Sequence, residues 1–147
     1  MIVLAVDTTV LVYAHRREAS EHDVAMAVIH DLAAGEASWA IPWPCLYEFF
    51  SVVTNARIWR DAASTPRQAV AQLEAWTSAP TLQLLREPDG FFEILHPLIS
   101  RSRVRGPVVH DARIAAICLA HGVEALLSRD RDFTQFPELR VKNPFKD

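Results

Sequence analysis

Short apolar runs of strand length alternate along this chain with segments of helical periodicity. The strand-like runs cover residues 2–6, 38–41, 82–85, 125–128 and 139–142. This alternation favours a parallel sheet covered by helices over an all-α or all-β domain, because crossovers between parallel strands need room for a helix. The pattern therefore predicts an α/β fold with a central, mostly parallel sheet of four to five strands.

Several of the predicted helices carry clear end signals. Residues 21–34 have the spacing of an amphipathic helix that ends at Gly35, and the next helix is expected to begin near Pro44. In the segment 65–68, a threonine and a glutamine stand at capping-box spacing around a proline at the first helical position. That segment predicts a helix running to about Ser78.

Two further helices are predicted in the second half of the chain. One opens at Asp89-Gly90 and is expected to be interrupted at Pro97, because proline lacks the backbone N–H that an interior turn uses. The other covers residues 109–121 and is closed by Gly122. Between them, residues 100–107 are expected to form a long, mobile loop that touches the substrate.

The composition is that of one globular domain. The 147 residues are half hydrophobic with mixed charge, and no apolar run approaches the ~20 residues of a membrane span. The N-terminal apolar run is short, lacks a preceding basic region and meets a charge at Asp7, which argues against an export signal. We expect a single soluble domain over residues 1–147, located in the cytoplasm.

Charge and cysteine content exclude several classes of protein. A net charge of −3 argues against generic binding to nucleic acid, although thirteen arginines against two lysines would suit local phosphate recognition or surface ion pairs. Cys45 and Cys118 have neither the number nor the spacing of a zinc site or a disulfide framework. Both are expected to be reduced residues of the core.

Acidic residues stand where two of the predicted strands end. Asp7 follows the first strand, and Asp130 and Asp132 lie in the turn after the fourth. Because the carboxyl ends of parallel strands meet at one edge of a sheet, these carboxylates are expected at the same rim. Asp7 would also suit the N-cap of a following helix, but Thr8 or Thr9 could cap that helix instead.

Glu48 and Asp111 are acidic residues in apolar helical segments. Glu48 lies among aromatic and aliphatic residues, so its burial needs more than the benefit of charge at a helix N-terminus, about 0.3–1 kcal/mol. Asn55 is expected on the same helix face two turns later, along one wall of a cleft. For Asp111 the helix-dipole interpretation stays open. His110 is interpreted as a neighbour that fixes local hydrogen bonds, because no other histidine or cysteine has a metal-ligand spacing.

Converging carboxylates would repel one another, and without a cation some would stay protonated at neutral pH. An all-oxygen set favours Mg²⁺ or Mn²⁺ over Zn²⁺, and an incomplete protein cage leaves positions for water and a substrate phosphate. Such a cation can position a water, lower its pKa and stabilise charge on phosphoryl oxygens. Hydrolysis of a phosphate ester would then need neither a histidine base nor a covalent nucleophile.

Four motifs in order carry a resemblance to a known family. They are VDTTVLVYA at residues 6–14, YEFFSVVTN at 47–55, HDARIAA at 110–116 and SRDRDF at 128–133. Each contains an acidic residue of the candidate site, and together they span nearly the whole chain. The chain resembles a PIN domain, in particular a VapC-type toxin ribonuclease of a type II toxin–antitoxin pair. The resemblance implies a PIN-like three-layer α/β/α sandwich.

The same resemblance implies a Mg²⁺-dependent endoribonuclease that hydrolyses RNA phosphodiester bonds, with Mn²⁺ as a substitute cation. It implies an acidic site of Asp7, Glu48, Asp111 and Asp130, with Asp7 and Asp111 foremost among the metal ligands. Of Asp130 and Asp132, one is expected to face the metal while the other holds the turn, and Asp130 lies closer to the strand end. The family likeness further implies a homodimer and a VapB-type antitoxin that occludes the cleft.

Further residues are expected to support the acids or to contact the substrate. They are Thr8, Thr9, Asn55, Arg57 and Arg113. Thr9 stands where such toxins often have asparagine, a difference expected to alter hydrogen bonding and not to abolish metal binding. The RNA would present a structured or single-stranded loop, whose phosphates could contact more arginines. These are Arg60, Arg101, Arg103 and Arg105.

Other classes of protein fit the sequence less well. A haloacid-dehalogenase-like phosphatase would need a second aspartate where Thr9 stands. A PIN-like nuclease acting on DNA and a non-catalytic PIN-like binding module are kept as alternatives, the latter disfavoured because the carboxylate set has no gap. The four tryptophans are candidates for partner surfaces as well as for the core. They are Trp39, Trp43, Trp59 and Trp76.

Overall fold

Parallel strand pairing builds the centre of the molecule. A computed structural model describes residues 2–101 and 103–146. Its strands are β1 (Leu4–Val6), β2 (Trp39–Pro42), β3 (Leu82–Leu85), β4 (Ala125–Leu127) and β5 (Val141–Lys142). Within the described residues they form one five-stranded sheet in the order β3-β2-β1-β4-β5, and every neighbouring pair is parallel. The α/β class and the parallel sheet are confirmed.

Seven α-helices flank the sheet in the described part of the chain. They are α1 (Thr8–His15), α2 (His22–Ala34), α3 (Trp43–Val53), α4 (Ala56–Trp59), α5 (Pro66–Thr77), α6 (Phe91–Ile99) and α7 (Val108–Ala120). Helix α1 packs against α2 and α3, α3 packs against α5, and α6 packs against α7. The expected three-layer α/β/α sandwich is confirmed. Over the described residues, no helix is both long and apolar enough to cross a membrane.

The strand order reverses between β1 and β4. The chain steps outward from β1 through β2 to β3, and then returns to place β4 on the other side of β1. Val6 pairs with Leu127, and the backbone N–H of Asp7 donates to the Leu127 carbonyl oxygen at 3.0 Å. In open parallel sheets, ligands bind outside the carboxyl ends of the strands at such a reversal. The fold therefore places the ends of β1 and β4 at its most favourable binding position.

Helix ends that depend on local signals follow the sequence closely. In the capping box of α5, Thr65 Oγ1 accepts from the Gln68 N–H at 3.2 Å, and Gln68 Oε1 accepts from the Thr65 N–H at 2.9 Å. Helix α2 ends at Ala34, directly before Gly35. Gly122 adopts φ +68 just beyond α7, a left-handed conformation that favours glycine.

The expected interruption of α6 at Pro97 is wrong, because the helix continues to Ile99. Pro97 lies in the last turn, where the missing N–H removes one hydrogen bond from a helix that is about to end. The N–H of Ser100 still donates to the His96 carbonyl oxygen at 3.1 Å. In the predicted loop 100–107, Ser102 lies outside the described residues.

Three predicted strands are shorter in the structure. Strand β1 begins at Leu4 and not at residue 2, β4 ends at Leu127 and not at residue 128, and β5 is confined to Val141–Lys142. Leu139 was expected in β5 because it is apolar, and it is indeed buried. Its backbone N–H, however, donates to the Phe136 carbonyl oxygen at 3.0 Å in a turn. A residue can therefore bury its side chain although its backbone does not join the hydrogen-bond ladder of the sheet.

A short helical segment between α3 and α5 has no counterpart in the predicted pattern. It contains α4 and a 3₁₀ turn at Arg60–Ala62. The buried side chain of Arg16, at the end of α1, holds this segment in place. Its guanidinium lies 4.0 Å from the centre of the Trp59 ring, and its Nη1 donates to the Ala62 carbonyl oxygen at 2.8 Å. These contacts are tertiary, which explains why periodicity did not indicate them.

The tryptophans and cysteines divide between core and surface. Trp39 and Trp76 are buried, whereas Trp43 exposes 38% of its surface. Trp59 packs against the edge of the core under Arg16. Cys45 and Cys118 are free and buried, as expected. Among the four tryptophans, Trp43 is therefore the best placed to meet a partner.

Candidate metal centre

Asp7 occupies the carboxyl end of β1 and is almost completely buried, with 3% of its surface exposed. It is the N-cap residue of α1, yet its side chain makes no capping hydrogen bond. Oδ2 accepts from the Ser128 hydroxyl at 2.6 Å, and Oδ1 accepts from the Cys45 thiol at 3.6 Å. Donors from α3 and from the residue after β4 thus fix the plane of this carboxylate.

The expectation that Thr8 or Thr9 would cap α1 is wrong, because both lie inside the helix. The Thr8 hydroxyl donates to Glu48 Oε2 at 3.0 Å and so holds the α3 carboxylate against the start of α1. Thr9 Oγ1 accepts from the backbone N–H of Arg129 at 3.0 Å. The two threonines connect the end of β1 to α3 and to the turn after β4.

Three carboxylates meet beside this strand end. One oxygen each of Asp111, Asp130 and Asp132 lies within 4.8 Å of the others, in a group found among the described residues. Asp111 comes from the first turn of α7, and the other two come from the turn after β4. Asp7 and Glu48 stand outside this group but act on it through their charges. The structure thus brings the acidic residues of distant segments to one rim.

Asp130 and Asp132 do not divide their tasks as expected. Asp130 Oδ1 accepts from the Asp132 N–H at 2.9 Å and caps the 3₁₀ helix Arg131–Gln135. The same residue also belongs to the group with Asp111, as does Asp132. Both acids therefore reach the candidate metal position, while Asp130 also holds the turn.

An open cleft of about 680 Å³ gives access to these acids. We name it the acidic cleft. Its walls come from α3, from the turn after β4 and from the start of α7, and its lining residues are Pro44, Tyr47, Glu48, Pro107, Val108, His110, Asp111, Arg113, Asp130 and Asp132. The described structure therefore offers a route from solvent to the carboxylates.

Crowding and burial disturb the titration of the acids. Burial, followed by the charges of Asp130, Asp7, Asp132 and Glu48, raises the pKa of Asp111 to about 8. Burial also raises the pKa of Asp7 and of Glu48 above their ordinary values, although hydrogen bonds from Ser128 and Thr8 oppose the shifts. Ionisation of these carboxylates is thus unfavourable in the folded protein when no cation is present.

The donor set fits a hard divalent cation. Within the described residues, none of the ion pairs involves the acids of this rim. The group around Asp111 offers only carboxylate oxygens, and neither of the two buried cysteines belongs to it, although the Cys45 thiol contacts Asp7. Oxygen ligands of this kind suit Mg²⁺ or Mn²⁺ better than Zn²⁺.

The expected position of Asn55 is wrong. Helix α3 ends at Val53, so Asn55 does not continue the helix face of Glu48. It caps α4 instead, because its side-chain oxygen accepts from the Arg57 N–H at 2.9 Å. Asn55 and Arg57 are absent from the lining of the acidic cleft. Helix periodicity cannot be extended past Thr54, which is the C-cap of α3.

Arg113 does line the acidic cleft. Its Nε–H donates to Glu87 Oε1 at 2.9 Å, which holds the guanidinium in place. Sequence pattern alone did not assign four other residues near the acids to the site. They are Cys45, Tyr47, His110 and Ser128. Ser128 opens the motif that contains Asp130, so its place in that motif was the available signal. His110 was interpreted only as a neighbour, yet it lines the cleft and its charge lowers the pKa of Glu48.

The fold and the carboxylate rim define a class of protein that sequence comparison identifies directly. A model of the PIN domain family matches residues 4–139. The chain belongs to the PIN domain family. Ribonuclease VapC48 of Mycobacterium tuberculosis is 32% identical to it over 139 residues, which cover 95% of this chain and 95% of that protein.

Solved structures show the same fold. The structure of VapBC2 from Rickettsia felis, bound to a DNA fragment from its promoter, contains a chain similar to this one with a TM-score of 0.68 at 18% identity. That similarity covers 97% of this chain and 98% of the other. Mycobacterium tuberculosis VapC20, a toxin that cleaves the sarcin–ricin loop, has a TM-score of 0.66 at 19% identity, covering 93% of this chain and 98% of the other.

Without metal, the protein is expected to lose stability as the pH rises from about 4 to about 8. The folded-state pKa of Asp111, about 8, lies above its ordinary value of 3.8, so the folded state binds more protons than the unfolded state across this window. Urea unfolding in the presence of a chelator measures the effect. Asp111→Asn should flatten the pH dependence, whereas the exposed control Asp31→Asn should not. Equal pH slopes in all three proteins would contradict the raised pKa assigned to Asp111.

Proposed function

We propose that this protein is the toxin of a type II toxin–antitoxin module and a metal-dependent endoribonuclease. The observation that carries the proposal is the group of Asp111, Asp130 and Asp132, whose oxygens lie within 4.8 Å of one another at the strand-order reversal. Carboxylates crowded at such a place destabilise the fold unless a cation binds to them. The curated relative VapC48 is named a ribonuclease, which supports RNA as the substrate.

Mg²⁺ is the proposed cation, with Mn²⁺ as a substitute. Asp7, Asp111, Asp130 and Asp132 would hold it, and Glu48 would complete the acidic wall. A cation bound there supplies Lewis acidity to phosphoryl oxygens and lowers the pKa of a water. The cleft is open to solvent on one side, which leaves room for a substrate phosphate.

Side chains around the cleft would accept a proton, orient the metal ligands and contact the substrate. Glu48 is oriented by the Thr8 hydroxyl, and its raised pKa suits it to accept a proton from an attacking water. Ser128 and Cys45 hold Asp7 in one orientation. Arg113, held by Glu87 at the cleft wall, is placed to meet a phosphate of the substrate. The whole chain would act as one PIN domain.

A VapB-type antitoxin is the proposed regulator, and it would act by occluding the acidic cleft. The similarity of fold to the toxin chain of Rickettsia felis VapBC2 supports such a pairing. A toxin that cleaves cellular RNA and its antitoxin would meet in the cytoplasm.

We also propose a homodimer formed through an apolar groove between α3 and α5. The groove measures about 320 Å³ and is lined by Trp43, Leu46, Tyr47, Phe50, Val70, Leu73, Glu74 and Thr77. Tyr47 exposes 65% of its surface and Val70 exposes 44%, which is costly for side chains of this size in water. Two copies that appose the same groove would bury both residues.

Removing one carboxylate of the rim should abolish RNA cleavage. Asp7→Asn and Asp111→Asn keep the size of the side chain but remove a charge that the cation needs. Purified variants are compared in a cleavage assay with Mg²⁺ or Mn²⁺, and Mn²⁺ binding is followed separately by electron paramagnetic resonance. Asp31→Asn, on the exposed face of α2, serves as the control and should cleave like the original protein. Full cleavage by either rim variant would refute the assigned site.

Expression of this chain alone should arrest growth, because it would cleave RNA that the cell needs. Co-expression of the small open reading frame beside its gene should relieve the arrest. The Asp111→Asn variant is the control for effects of expression alone, and it should not be toxic. Mapping the RNA ends after brief induction identifies the target at the same time. Absence of toxicity at confirmed expression would contradict the toxin role.

Charge placed in the α3–α5 groove should separate the two copies. Val70→Glu puts a carboxylate in the proposed interface, and multi-angle light scattering should report a monomer. Val24→Glu is a matched control, because Val24 on α2 also exposes 44% of its surface. A dimer that persists in Val70→Glu, or a monomer in the unsubstituted protein, would contradict the proposed interface.

A further inference from the structure

The turn after β4 separates two clefts of opposite character. On its far side from the acidic cleft lies a second cleft of about 950 Å³. We name it the basic cleft because three cations, Arg129, Arg131 and Lys146, line it against two acids, Glu21 and Asp130. Asp130 lines both clefts, so they meet at one residue of the acidic rim.

Charges alternate along this turn. Asp130 and Asp132 belong to the group that includes Asp111. Arg129, between Ser128 and Asp130, and Arg131, between the two acids, line the basic cleft and not the acidic cleft. Asp132 lines the acidic cleft, whereas Asp130 lines both clefts. One short segment therefore brings both of its carboxylates to the acidic cleft and both of its guanidinium groups to the basic cleft.

Two of the three cations of the basic cleft are available to a ligand. Arg129 is engaged, because it forms an ion pair with Glu21 and donates to the Tyr13 hydroxyl at 3.1 Å. Arg131 and Lys146 are exposed, and among the described residues neither side chain forms an ion pair or a hydrogen bond. Free cations beside a phosphate-processing site are suited to the phosphates that flank the reacting one.

Three of the arginines that the sequence singled out for RNA are placed less well. The guanidinium of Arg101 is engaged by Glu138 and by the Gln135 carbonyl oxygen at 2.8 Å. Arg57 and Arg60 are exposed but line neither cleft. Position relative to the acidic rim therefore favours Arg131 over each of them.

The floor of the basic cleft is apolar. Phe136 and Leu139 are buried beneath it, whereas Val141 and Phe145 keep part of their surface accessible. The ring of Phe145 packs edge-on against Tyr13, with ring centres 5.2 Å apart, which fixes its orientation. A fixed aromatic ring in a cleft that cations line can accept a nucleobase while the cations hold the backbone.

We propose that the basic cleft receives the RNA strand on one side of the scissile bond, with Arg131 and Lys146 bound to backbone phosphates and Phe145 in contact with a base. The inference rests on the proposed ribonuclease function, because a strand whose scissile phosphate lies in the acidic cleft would reach the basic cleft past Asp130, which lines both clefts. Since the chain carries a net charge of −3, a polyanion needs local cations of this kind.

Binding of a fluorescein-labelled single-stranded oligoribonucleotide of mixed sequence tests the inference by anisotropy across a series of salt concentrations. Arg131→Gln and Lys146→Gln are made in the Asp111→Asn protein, so that the probe is not cleaved. Each should weaken binding about two- to fivefold. Each should also reduce the slope of log affinity against log salt by about 0.7, the value for one lost phosphate contact on a single strand. Arg67→Gln, at an exposed position on α5 outside both clefts, is the matched control and should change neither quantity.

Equal behaviour of Arg131→Gln, Lys146→Gln and Arg67→Gln would overturn the inference. It would also be overturned if the first two variants kept RNA affinity but lost affinity for the protein encoded beside the gene, because the cleft would then belong to that partner. Failure of the unsubstituted protein to cleave any RNA would refute the proposed function alone. The binding measurement does not depend on cleavage and would still decide the role of the basic cleft.

Discussion

Repulsion between carboxylates at one partly buried rim is the constraint around which the site is organised. Asp111 lies within 4.8 Å of Asp130 and Asp132, and its pKa of about 8 reflects both burial and the charge of its neighbours. A fold gains no stability from such an arrangement unless a cation compensates it. The remaining hydrogen bonds of the site therefore act to hold the acids together against their own repulsion.

Those hydrogen bonds join segments that are distant in the chain. Ser128, after β4, holds Asp7, after β1, and Thr8, at the start of α1, holds Glu48 on α3. Thr9 fixes the turn after β4 through the Arg129 N–H. Because β1 and β4 are neighbours at the strand-order reversal, the ends of these strands lie close enough for the direct Ser128–Asp7 and Arg129–Thr9 hydrogen bonds. The parallel sheet provides the framework, and a few hydroxyl groups set the final positions of the acids.

Features that depend on neighbouring residues in the chain could be predicted from the sequence, and features that depend on tertiary contact could not. The capping box at Thr65 and the positions of Asp7 and Asp130 after their strands follow from local pattern. The helix face expected for Asn55 was wrong, because α3 ends two residues earlier. The segment under Arg16 was missed, because a cation above the Trp59 ring has no periodic signature.

Opposite charges on the two sides of one turn have a consequence for how metal and RNA would bind. Asp130 lines both clefts, so its charge acts on a phosphate beside Arg131 as well as on a cation beside Asp111. Salt screens such interactions only weakly over distances below the Debye length, about 8 Å at physiological ionic strength. A cation that neutralises the acidic rim therefore removes repulsion from a neighbouring phosphate. By linkage, RNA in the basic cleft must strengthen cation binding by the same factor. The acidic and basic clefts would then act as one site that is complete only when both ligands are present.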